Sequence, residues 1–157
     1  MKKIIFMAAM LGLITMASCT GSGNKDAKVK DSVVVAEVPS VIYEGPKPAV
    51  DGTMKVEITL KMAKDASEGE YQYKETYTPN TGQAYPPQGH HGKATVTKGG
   101  LKGKGNESAQ VLKLAKENSD KVLYYLLSED GSKITELTVD GSGNPVKAAK
   151  PDVFNKK

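Results

Sequence analysis

The chain has 157 residues, with 22 lysines, no arginine, 18 acids and a formal net charge of +4. Without guanidinium groups for bidentate phosphate and base contacts, its basic balance describes a lysine-coated surface, and no nucleic-acid partner is expected. A single cysteine excludes an internal disulfide. The domain that follows the leader has about 110 residues, enough for one modest core.

Met1-Lys2-Lys3 is a short positive segment, and the apolar run from Ile4 to Ala17 has the length of a secretory signal core. It is too short for a comfortable membrane-spanning helix, which needs about 20 residues. Met16-Ala17-Ser18-Cys19 then resembles the lipobox of bacterial lipoproteins. That resemblance implies a diacylglyceryl group on the Cys19 sulfur, cleavage before Cys19 and acylation of the new N-terminus. Several acyl chains exceed what stable anchoring requires, so the membrane is an expected partner. Residues 1–18 are therefore expected to be a signal peptide. Residues 19–40 read as the lipidated cysteine with a small, polar, flexible tether, and residues 41–157 as the folded domain. Beyond two leader lysines, 20 lysines face 18 acids.

Past the tether the signals are those of strands. Val33 to Val38 is β-branched, Pro39 interrupts it, and Val41 to Tyr43 resumes. A proline donates nothing to a ladder, so this region is an edge, a bend or two pieces. Glu44 to Gly52 reads as a Pro/Gly turn. Thr53 to Met62 alternates Met54, Val56, Ile58, Leu60 and Met62 with Lys55, Glu57, Thr59 and Lys61, the pattern of a strand with one dry and one wet face. Asp65 to Gly69 is a turn. Glu70 to Thr78 is a strand with Tyr71, Tyr73 and Tyr77 on one face. Pro79 to Gly92 reads as a long loop, Lys93 to Lys98 as a short strand and Gly99 to Ser108 as a mobile Gly/Lys loop. Gln110 to Lys116 and Lys121 to Ser128 form a hairpin, although Gln110 to Asn118 also has helical propensity. Lys133 to Val139 is a strand, and a last one falls near Asp152 to Phe154. Seven or eight strands with frequent turns predict an all-β fold, a small antiparallel lipocalin-like meander β-barrel.

Little in the domain carries chemistry. His90 and His91 are candidate metal ligands on the predicted loop, but two ligands do not fill a tetrahedral site. The nearest carboxylates in sequence, Glu75 and Glu107, are distant. Gly99 to Gly105 lacks the Gly-Lys-Ser/Thr ending and following helix of a phosphate loop. Tyr71, Tyr73 and Tyr77 either fill the barrel or line a ligand cavity. No nucleophile elbow or zinc-helix motif is present. No enzyme activity and no cofactor is expected beyond the covalent lipid on Cys19.

Tyr43-x-Gly45-x-x-Pro48-x-x-Asp51, followed by the alternating strand, resembles the N-terminal domain of the NlpE copper-resistance lipoproteins. Looser likenesses follow at Tyr71 to Tyr77, at Gly92-Lys93, at Ile134 to Gly143 and at Phe154 to Lys157. The resemblance implies a lipocalin-like barrel on an outer-membrane anchor, facing the periplasm or the cell surface. It also implies a role in envelope stress sensing or copper resistance, with Tyr43, Gly45, Pro48 and Asp51 at a ligand or partner site. The two cysteines of the family motif fall on Ala49 and Gly52, so its thiol chemistry does not transfer. The expected function is thus a non-enzymatic lipoprotein with an envelope protein as partner. The alternatives are a lipocalin-like carrier of a small apolar ligand, or a surface interaction or adhesion module.

Overall fold

The computed structural model describes residues 38–63, 65–103 and 105–157. The expected signal peptide, Cys19 and nearly all of the tether lie outside the described residues. What is described is all β. The strands are β1 (Ser40–Ala49), β2 (Gly52–Lys61), β3 (Glu68–Pro79), β4 (Gln88–Lys98), β5 (Gln110–Lys116), β6 (Val122–Leu127), β7 (Lys133–Val139), β8 (Pro145–Lys147) and β9 (Val153–Lys156). Each pairs antiparallel with its neighbour from β1 to β7, and β9 lies between β7 and β1. The sheet therefore closes into an eight-stranded barrel, with β8 as an extra strand on β7. Gln110–Lys116 is a strand, which resolves its ambiguous propensity in favour of tertiary pairing.

β8 and β9 lie on the same edge of β7. Val139 pairs with Pro145 and Leu137 with Lys147, whereas Thr135 pairs with Val153. The register jumps between them, so residues 148–151 bulge out of what would otherwise be one return strand. The Glu136 amide donates to the Asp152 carbonyl at 2.8 Å and restores the ladder after the bulge.

Two expectations about β1 and β4 are corrected. Glu44 to Gly52 is not a turn; β1 runs on to Ala49, and only Val50 and Asp51 turn. The reason is where the prolines point. The Lys157 amide donates to the Ile42 carbonyl at 2.9 Å, so the even-numbered residues of β1 direct their backbone groups toward β9. Pro46 and Pro48 share that side, and the ladder with β2 loses no donor. The pairing of β1 with β9, in contrast, reaches no further than Glu44. Beyond it the seam opens into a groove lined by Pro46, Pro48, Pro151 and Val153. The second correction is that Gln88 to Gly92 belongs to β4, so His90 and His91 sit inside a strand and not on a loop.

The alternating pattern of β2 works as its period requires. Val56 and Ile58 are fully buried and Leu60 nearly so, together with Tyr71, Leu112, Leu114, Tyr125, Ile134 and Phe154. Eight of these core side chains are less than 2% exposed. A void large enough for water would expose its lining, so the space between them is filled by side chains. A second cluster lies outside the wall. Leu101 is 4% exposed and packs with Val111 and Leu137, which anchors the 99–109 loop against β5 and β7. That loop is therefore pinned, not free as its glycines suggested. Lys102 reaches Asp140 at 3.4 Å.

In a meander the connections alternate between the two ends. The chain enters at Ser40 and leaves at Lys157 on one end, beside connections 62–67, 99–109 and 128–132. The other, far end carries connections 50–51, 80–87, 117–121 and 140–144.

Candidate functional site

Several inward positions of the far end are polar, beside the apolar Met54 and Leu123. Lys47 on β1 donates to both carboxylate oxygens of Glu136 on β7, at 3.0 and 3.1 Å. This ion pair crosses the seam where the β1–β9 ladder has already stopped. On β3, Tyr73 donates to Glu75 at 3.2 Å. Tyr71 Oη and His90 Nδ1 share a hydrogen bond of 3.1 Å, and the His90 ring stacks on Tyr73 with centroids 4.7 Å apart and planes 7° apart. Burial pushes the Tyr73 hydroxyl well above its ordinary range, with Glu75 adding to the effect. Burial is also the main reason the Tyr125 hydroxyl is raised, reinforced by Glu136. His90 is pushed below the usual imidazole value, first by burial and then by Lys116. Lys47, Glu136, Tyr73, Glu75, Tyr71 and His90 each have a partner, and the network orders the mouth of the barrel.

His91 faces the other way. Its Nε2 lies 2.7 Å from Glu117 Oε2, at the surface. Adjacent side chains on a strand point to opposite faces, so His90 and His91 cannot close on one ion. Among the described residues no three His, Cys, Asp or Glu side chains stand close enough to hold a metal. The carboxylate nearest His91 in space comes from the β5–β6 turn, a partner that sequence distance did not suggest.

The four motif residues take separate places. Tyr43 is buried and donates to the Gly131 carbonyl at 3.0 Å, at the entry end. At Gly45 the backbone of β9 comes so close that a Cβ would lie 2.6 Å from the Val153 carbonyl oxygen. Pro48 is on the open edge of β1. Asp51 is in the turn, where its carbonyl accepts from Tyr77 Oη at 2.9 Å and from the Asn80 amide at 3.0 Å. The structure does not gather them into one site. Ala49 and Gly52 face each other across the two-residue turn. A Cβ at Gly52 would collide with the Thr78 carbonyl oxygen and approach Pro79 and Tyr77, so this turn has no room for a thiol there.

The far end also carries a feature that sequence reading missed. Tyr85 is 59% exposed and stacks on Tyr77, with centroids 5.8 Å apart and planes 24° apart. Its amide donates to the Tyr77 carbonyl at 2.8 Å. Val50, at the tip of the neighbouring turn, is 99% exposed. A usable signal was present: residues 76–92 contain no lysine or acid, the longest such run within 38–157.

No family model, no curated protein and no solved structure matches the chain.

Proposed function

We propose that this chain is a non-enzymatic lipoprotein, anchored to the outer membrane through a lipid on Cys19, whose barrel presents its far end to a partner in the cell envelope. One observation carries the reading. Chain entry and exit share one end, while Val50, Tyr85 and Val139, three of the five exposed large hydrophobics among the described residues, stand at the other. Exposed apolar side chains grouped away from the attachment point suit contact with something beyond the membrane surface. The NlpE-like reading of envelope stress sensing fits such a display. Copper binding through the family thiols has no support at Ala49 and Gly52. The carrier alternative is disfavoured because the barrel interior is filled by side chains.

Two experiments test the proposal. Cys19→Ala in the full chain should release the protein from the membrane fraction; retention there would count against the anchor. A photo-crosslinking residue at Val50 should capture a discrete envelope component in cells, while the same residue at Asp65, on the entry end, should not. Equal capture from both positions would remove the case for a working far end.

A further inference from the structure

We infer that the far end binds a neutral saccharide on the Tyr77–Tyr85 platform. The inference rests on the reading of the far end as the display face and names the chemistry of what it meets.

Four features point to a sugar. The first is shape. Tyr85 stacks on Tyr77 and is still 59% exposed, so much of its ring surface is in contact with solvent. A pyranose ring has a face of C–H groups that carry slight positive charge, and these complement the negative face of an aromatic ring. The second is the surrounding chemistry. Asn80, Thr81, Gln83 and Gln88, in the same segment as the tyrosine, are exposed. Carboxamides and hydroxyls offer both donors and acceptors, as sugar hydroxyls do. The third is low charge within the loop itself. Residues 76–87 contain no lysine, acid or histidine, so an uncharged ligand settling on them desolvates no ionised side chain of that loop. A charged peptide, a nucleic acid or an anionic lipid would find nothing to pair with on that run.

The fourth feature is preorganisation. Tyr77 is held by its hydroxyl on the Asp51 carbonyl, and Tyr85 by its amide on the Tyr77 carbonyl. The Asn80 amide donates to Asp51 and the Gly82 amide to Pro79. Pro86 and Pro87 then restrict the exit from the loop. A plate fixed before binding loses little entropy on contact.

The test uses the purified full chain in detergent. Affinity electrophoresis through gels holding α-glucan, β-glucan, mannan or galactan should retard it with at least one of these. Tyr85→Ala should weaken that retardation about tenfold or more, with an unchanged denaturation midpoint. Tyr85→Phe, which keeps the ring, should retain most of it, and added salt should have little effect. Retardation by none of the four, or equal retardation of Tyr85→Ala, would overturn the inference. So would binding confined to an oligoproline peptide or to a polyanion. Capture from Val50 without saccharide binding would sink this inference and leave the display reading standing. Saccharide binding by a chain that Cys19→Ala fails to release would do the reverse to the anchor.

Discussion

The two ends of the barrel differ in what fills them. At the entry end the inward side chains are Val41, Leu60, Val96 and Leu127, and the closing loop satisfies itself. There Asp130 accepts from Ser128 Oγ at 2.7 Å and from the amide and hydroxyl of Ser132 at 3.0 and 2.8 Å, while Tyr43 ties Gly131 to β1. At the far end the inward apolar residues Met54 and Leu123 are joined by Lys47, Glu136, Glu75 and His90, held by pairing with one another or with tyrosines. Apolar residues stabilise a small barrel more simply than partly desolvated charges do. A polar mouth beside an exposed aromatic plate is therefore not explained by stability alone, and the far end is the one to probe for binding.

The comparison can be broken most severely where both ends depend on one strand. Phe154 is fully buried on β9 and packs edge-on against Tyr125. Phe154→Ala should cost about 3–5 kcal/mol in a denaturant titration. A much smaller loss would mean that β9 does not close the barrel. Gly52→Cys comes next. Crowding against Thr78 and Pro79 should destabilise the fold by about 1–3 kcal/mol and disturb the far end first. A neutral outcome would reopen the thiol chemistry of the family motif.

Tyr43→Phe removes one hydrogen bond at the entry end and should cost about 1 kcal/mol, leaving any far-end binding untouched. Lys47→Ala breaks the seam ion pair. Both partners are partly exposed, so the loss should stay below about 1 kcal/mol and shrink with added salt.

The smallest effects are those of pH, and they separate the ends. His90 binds its proton less readily in the fold than in the unfolded chain, chiefly because it is buried. As pH falls through about 6.5 the unfolded chain takes up a proton that the fold resists, so stability declines, and His90→Gln should flatten that decline. Amide exchange should report it at the far end. Asp140 is held down to about 2, first by the Asn144 amide, and Asp130 lies below the usual carboxylate range, chiefly through Ser128. Their contribution is present above about pH 4 and disappears as the pH drops toward those lowered values, affecting both ends alike. Denaturation midpoints of Asp140→Asn and Asp130→Asn across that range would check it.

Much of this architecture was legible in the residues. The bounds of Gln110–Lys116 and Lys133–Val139 were readable from their turn signals, although only the pairing decided that the first is a strand and not a helix. β1 was not, since the cost of a proline in a strand depends on which side its nitrogen faces, and that is a property of the neighbours. β8 is three residues long and has no alternation to detect. The two histidines looked like one cluster because they are adjacent in sequence. In a strand adjacency separates them, and their partners Tyr71 and Glu117 come from other strands and turns. The tyrosines of β3 were visible as a face, whereas the pairing of Tyr77 with Tyr85 required the loop to fold back.

The prolines of β1 have a consequence for how copies of the molecule meet. Past Glu44, the side of β1 turned toward the seam offers carbonyl groups at positions 46 and 48 and no amide hydrogens. If two copies met along this edge, acceptor would face acceptor and no ladder could grow. Proteins at high local concentration are at risk of joining strand to strand into fibres. This seam can stay open without becoming a template for that growth.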